Sequence, residues 1–393
     1  MRTTCTAACS AALLTLALPA FGQSSEWVQA PFPETLSSPK VYLFPMGFEG
    51  TGQLGTDISK QLIDIVLEDV KKQKPDIIVL KLNSAEFNKI RHLKDENPNE
   101  YGFGAFEEFR DIMTTFQDGT RDIPQVMWVE DSVGYGTLMA LGWPRLYMTS
   151  EARLSGMTRV RDRAAGWDDP DVAAKMLAAA TGLGKGLPAR GGYSEALANA
   201  MIFPERFLSV NFDGRSVAWL TDSSGSWVVD GSKDSAANFT AALAEDVLLS
   251  DGTADTLDDL MFLLGYREFT KIETGEKLSK QWVDDWRKAL DRCLTWMKEA
   301  AETEDTPAGL GKRKTIYEKV LAALKQYKCL EFRRELGSSG ITKDNLENGI
   351  DDLKKEIQRL REAEKDSRRE GGGSSGGGGR GLGGGGMGRP KGG

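Results

Sequence analysis

One histidine, His92, occurs in 393 residues. No cluster of histidine metal ligands can form, and a Ser/His/Asp triad could be assembled only around that one side chain. Any other nucleophile would need Lys, Asp or Glu as its base. Cysteine is scarce as well: there are four, and Cys5 and Cys9 fall at the extreme N-terminus. Past residue 22 no segment reaches the roughly 18 apolar residues from which a membrane helix is read. Surplus positive charge is absent, and a formal net charge of −8 argues against nonspecific nucleic-acid binding. Glycine, at 44, looks abundant, but 15 of these lie in Gly371–Gly393, leaving 29 for the rest of the chain, an ordinary load.

The full chain is 40% hydrophobic and 27% charged, the balance of a folded, soluble protein with a sizeable core. Met1-Arg2 followed by the apolar run Ala11–Ala20, then Ala20-Phe-Gly22, reads as a cleaved secretory signal over residues 1–22. The mature protein is therefore expected in the periplasm or outside the cell, with residues 23–39 a linker. Export leaves Cys293 and Cys329, which an oxidising compartment could join. A helical hairpin turning at Thr306–Gly311 would bring them near each other, yet Cys293 sits on the apolar stripe of its helix and Cys329 off the next. A disulfide and two separate thiols both stay open.

From Lys40 the chain alternates strand and helix signals. Val41–Phe44, Ile77–Leu82, Gln125–Glu130 and Arg145–Met148 read as strands. The stripe Ile58, Leu62, Ile65, Val66, Val70 and the segment from about Phe103 to Phe116 read as helices. This is the βαβ grammar of a parallel sheet. Helices are expected near Asp171–Ala180 and Ser194–Ala200, and a hairpin-like pair at Ser216–Thr221 and Ser226–Val229. The fold class is thus α/β over 40–275, with a charged helical extension over 276–370 and a disordered Gly-rich tail over 371–393. In the extension Leu346, Ile350, Leu353, Ile357 and Leu360 repeat at coiled-coil spacing, but for only about two heptads, so an ordinary amphipathic helix is expected. The tail's Arg380, Arg389 and Lys391 suggest an RNA contact that export argues against.

Chemistry points to Pro124–Gly156. A strand ends in Val129-Glu-Asp131, passes through Ser132-Val-Gly-Tyr-Gly136 and enters the apolar helix Thr137–Leu141. A glycine-rich strand-to-helix turn can present a nucleophile at a helix N-terminus, where N–H groups favour a developing anion. It equally suits a junction that needs close backbone approach, and spacing alone favours the latter.

Val129, Asp131, Gly136, Ala140, Leu141, Leu146, Met148, Ala152 and Gly156, in that order, resemble the nucleophile region of the ClpP/crotonase superfamily, in particular its exported NfeD-type and SppA-type serine peptidases. Val41–Phe44 and Ile77–Asn83 resemble the family's first two strands. Val172–Met176 with Ala178, Arg190-Gly191 and Glu195–Met201 resemble the helices after the nucleophile, and Ala237–Leu264 the domain's end. The resemblance spans about 40–275 and implies a ClpP/crotonase-like repeated ββα fold without cofactor or metal. It also implies a homo-oligomer and a groove where an extended peptide adds a strand.

The departures from that pattern bear on activity. Gly134 stands at the nucleophile's position, and Asn83-Ser-Ala-Glu-Phe87 replaces the Pro-Gly-Gly that supplies oxyanion donors. Lys175 matches the catalytic lysine, and Ser132, two residues early, is the remaining serine. His92 precedes the turn in a charged loop and reads as a surface residue. The expectation is a catalytically degenerate peptidase homologue that binds polypeptide. An active Ser132/Lys175 dyad is the alternative, and an assembly protein dominated by its C-terminal helices a third.

Overall fold

The structure, a computed structural model, describes residues 28–34, 36–84, 104–162, 168–214, 216–337 and 339–371. The signal segment, His92, Glu86 and the tail past 371 lie outside the described residues. The chain forms two compact units. Of the described residues, those up to Leu54 with those of Ile63–Lys277 make one, and Gly55–Leu62 with those from Leu278 on make the other.

The first unit is mixed α/β and rich in parallel pairing. It opens with β1 (Lys40–Met46), α1 (Lys60–Gln73), β2 (Ile77–Asn83), α2 (Gly104–Gly119), β3 (Gln125–Val133), α3 (Tyr135–Ala140) and β4 (Leu146–Met148). β1 pairs parallel with β2, β2 with β3 and β3 with β4. Each crossover steps the same way, so right-handed connections carry α1 and α2 to one face. There Ile63, Val66 and Val70 of α1, with Ile112, Met113 and Phe116 of α2, are buried, and the Phe44 and Phe116 rings stack at 5.7 Å.

Beyond β4 come β5 (Arg153–Ser155), α4 (Arg159–Asp162), α5 (Pro170–Arg190), α6 (Glu195–Ile202), β6 (Leu208–Asp213), β7 (Ser216–Leu220) and β8 (Trp227–Asp230). The unit closes with β9 (Phe239–Thr240), α7 (Ala241–Asp246), β10 (Gly252–Thr253), α8 (Leu257–Leu263) and β11 (Thr270–Ile272). β10 and β11 extend the sheet to the order β10-β4-β3-β2-β1-β11. Strand residues alternate between faces. Val41, Leu43, Ile77, Val79, Val126 and Trp128 therefore share a second core with Leu260 and Met261 of α8. Two-sided burial explains why the sequence reads as continuous apolar runs rather than alternation.

α5 is longer than its expected limit at Ala180. Asp169 caps its start by accepting from Asp171 and Val172 N–H. Of its glycines, Gly184 packs where a Cβ would come within 2.8 Å of Ile202 Cδ1, whereas Gly182 and Gly186 face open space. The expected hairpin is corrected. β7 and β8 do not pair with each other; both flank β6, antiparallel, in the order β7-β6-β8. β6 (Leu-Ser-Val-Asn-Phe-Asp) carries the alternation that makes it central, with Leu208 and Val210 fully buried.

The second unit is helical: most of α9 (Thr274–Ala301), then α10 (Pro307–Gln326), a 3-10 turn (Lys328–Phe332), α11 (Arg334–Gly337) and α12 (Lys343–Gly371). Trp282, Trp286, Leu290 and Cys293 line the buried stripe of α9, and the Trp282 indole N–H donates to the Thr56 carbonyl at 2.8 Å. Leu346, Ile350 and Ile357 are buried along α12, which packs on α10. Cys293 and Cys329 are buried thiols and form no disulfide. Among the described residues no helix is long and apolar enough to cross a membrane.

Candidate functional site

The strand ends gather where β2 and β3 finish and α3 begins. β3 runs past the main sheet, so that Ser132 and Val133 pair with Leu154 and Ser155 of β5. β5 in turn pairs antiparallel with β9, Arg153 opposite Thr240 and Leu154 opposite Phe239. Both edges of β5 are occupied, which closes it to strand addition by a peptide.

Gly134 forms the elbow between β3 and α3 with φ 66° and ψ −117°, a conformation that strains any residue bearing a Cβ. Its N–H donates to the Ser155 carbonyl at 2.7 Å and its carbonyl accepts from Leu138 N–H at 3.1 Å. The Arg159 side chain lies over it: a Cβ added at Gly134 would stand 2.9 Å from Arg159 Cδ and 3.8 Å from Nε. The elbow is therefore a well-made turn with no functional atom of its own.

Ser132 is fully buried. Its hydroxyl donates to the Arg153 carbonyl at 3.0 Å and lies 3.1 Å from Thr137 Oγ1. Thr137 completes a strut: its hydroxyl oxygen accepts from Ser155 N–H at 3.0 Å and lies 2.9 Å from the Ser155 carbonyl. Lys175 is exposed on α5, and no hydrogen bond joins it to Ser132. The two candidate dyad residues thus differ in environment, the serine buried and the lysine exposed.

At the end of β2, Ser84 N–H donates to the Asp131 carbonyl at 3.0 Å, and the Ser84 side chain fills the space above Gly136. A Cβ on Gly136 would fall 1.8 Å from Ser84 Oγ. Gly47 and Gly52 press equally close to the Asn83 carbonyl, which a Cβ on either would meet at 2.0 and 2.1 Å. Nearby charge is internally matched: Lys81 pairs with Glu130 at 2.5 Å, Asn83 Nδ2 donates to the same carboxylate, and Lys81 lies over the Trp128 ring at 4.8 Å.

A groove of about 410 Å³ runs beside β5, bordered by Ala152, Arg153, Ser155, Asn238, Phe239 and Thr240. Gly156 N–H donates to Asn238 Oδ1 at 3.2 Å at its end. On its rim, hydrogen bonds from the backbone and side chain of Ser150 hold the Asp255 carboxyl below the usual carboxylate range. Among the described residues no three His, Cys, Asp or Glu gather as a metal ion would need. Ser84, Thr137 and Arg159 were not singled out by the sequence reading. Only the paired small residues Gly134 and Gly136 signalled that something must pack tightly there.

Fold and site together define a parallel-rich α/β protein whose central strand-to-helix elbow is built from glycine and packed shut by its own side chains. Comparison with protein-family models, with curated proteins and with solved structures finds no match to this chain.

Proposed function

We propose that the chain is an exported relative of the ClpP/crotonase-type serine peptidases, of the NfeD and SppA kind, that has lost catalysis and acts in peptide binding or assembly. The observation that carries this reading is the Gly134 elbow. Its φ of 66° and ψ of −117° make the sharp strand-to-helix turn that serves to expose a nucleophile, but the residue has no side chain to expose. The single-direction crossovers and the continuation of β3 into a second pairing with β5 also fit that family. With β5 paired on both edges, polypeptide would be held through side chains and the groove beside β5.

A Ser132/Lys175 dyad fits less well. The Ser132 hydroxyl is sealed from solvent and spent on the Arg153 carbonyl, whereas a nucleophile must be within hydrogen-bond reach of its base and of substrate. A fluorophosphonate probe tests the choice. The mature protein should remain unlabelled; labelling that disappears in Ser132→Ala would overturn the degenerate reading. The expected homo-oligomer is checked by the mass of the mature protein in solution.

A further inference from the structure

Between Lys233 and Arg267 lie 33 residues with seven acids, Asp234, Glu245, Asp246, Asp251, Asp255, Asp258 and Asp259, and no Lys, Arg or His. Seven negative charges against a chain total of −8 place nearly the whole net charge of the protein in this one stretch. Among the described residues Asp251 alone of the seven is ion-paired, to Arg145 at 3.2 Å. The same stretch exposes large apolar side chains: Phe262 is 65% exposed, and Leu248 and Leu263 are each 46% exposed. Leu248 is moreover held at φ 55°, a left-handed conformation that a leucine rarely takes.

These features share one surface. Asp258 and Asp259 precede Phe262 by four and three residues on α8, so they flank its ring on the same helix face. Leu263 reaches back to Gly252, where a Cβ would stand 3.2 Å from its Cδ1. The adjoining Thr253 hydroxyl donates to Glu245 at 2.6 Å, at the end of α7 just before Asp246 and Leu248. The result is an apolar anchor point rimmed by carboxylates, of which Asp259 and Glu245 accept hydrogen bonds from Thr256 and Thr253 while Asp246 and Asp258 are exposed. An exposed apolar patch rimmed by charge of one sign suits a partner that brings both an apolar face and the opposite charge.

We propose that the α7–α8 surface docks a basic amphipathic polypeptide segment, with apolar side chains seated on Phe262, Leu263 and Leu248 and lysines or arginines facing Asp246 and Asp258. The proposal stands without the peptidase reading.

The test uses the full mature protein and two fluorescein-labelled synthetic helical peptides of identical leucine pattern, one with lysine and one with glutamate at every polar position. The lysine peptide should bind, measured by anisotropy, and weaken as salt rises. The glutamate peptide should not bind. Phe262→Ser, at an exposed position, should leave the thermal midpoint unchanged and weaken binding about tenfold. Asp246→Asn with Asp258→Asn should weaken it and flatten the salt dependence, while Phe212→Ser, on the separate β6 surface, should do neither. Equal binding of both peptides, no binding of the lysine peptide, or indifference to Phe262→Ser would overturn the proposal. So would an oligomer that dissociates in Phe262→Ser, because the surface would then be covered by a second copy of the chain.

Discussion

The hydroxyl of Ser132 donates to the backbone carbonyl of Arg153 at 3.0 Å, across the seam where β3 leaves the main sheet to pair with β5. This bond turns Ser132, the serine of the candidate dyad, into a structural tie. Ser132→Ala should cost about 1 kcal/mol of stability, the net worth of a neutral hydrogen bond, and a denaturant titration would register it. If the variant were as stable as the parent, the tie would be idle.

Thr137 holds the same seam from the helix side, and its loss should be felt more. Thr137→Val keeps the shape but leaves the Ser155 N–H without the hydroxyl oxygen it reaches at 3.0 Å. A buried donor left without a partner costs about 1–3 kcal/mol and the half-buried Ser155 N–H falls toward the lower end, so the shift in urea midpoint should match or exceed that of Ser132→Ala.

Gly136 and Ser84 form a matched pair. Gly136→Ala drives a methyl into Ser84 Oγ, 1.8 Å away, in a fully packed place, and overpacking of this kind costs roughly 1–3 kcal/mol or more. Adding Ser84→Gly should restore part of the loss. A double-mutant cycle reads the coupling directly, and an additive result would mean that the two do not touch.

At the elbow itself, Gly134→Ser places a Cβ at φ 66° and within 2.9 Å of Arg159 Cδ. The backbone strain alone is worth about 1–3 kcal/mol. Gly134→Ser should therefore unfold at a lower temperature, and Arg159→Ala in the same chain should recover the steric share but not the backbone share. A thermal midpoint equal to the parent's would show that the turn relaxes freely.

Burial pushes the Cys293 thiol up from 9.0 to about 11, with Arg292 pulling weakly the other way. Between those values the unfolded chain releases a proton that the folded chain keeps. The folded state binds more protons, so stability falls as pH rises across that window and is unaffected below it. Urea midpoints from pH 8 to pH 11 should fall more steeply for the parent than for Cys293→Ala; parallel curves would count against the buried, protonated thiol.

Much of the architecture can be read from residue order alone. Ile77–Leu82 and Gln125–Glu130 declare themselves as strands because both of their faces are buried, so that apolar residues run without a break. Ser194 marks a helix start and accepts the capping hydrogen bond its residue type suits, whereas the turn expected at Thr306–Gly311 is the cap and first turn of α10, Thr306 accepting from Gly309 N–H. β5, β9, β10 and β11, at two or three residues each, carry no periodic signal and exist only because a longer strand or a neighbour offers an edge. The missed β6 shows the same limit: Ser216–Thr221 and Ser226–Val229 look like partners in sequence, but a third strand with a fully buried inner end took both edges.

For the site, the sequence by itself determined that histidine-based catalysis had at most one side chain to work with, and that glycines stand at positions 134 and 136 of the turn after β3. Those conclusions follow from residue identity, which no folding can change. Tertiary structure alone decided what became of the residues left over. Packing put Ser132 out of reach of solvent, left Lys175 on the exposed side of α5, laid Arg159 over the elbow and fitted Ser84 against Gly136. Such outcomes depend on contacts between segments tens of residues apart, and local spacing holds no record of them.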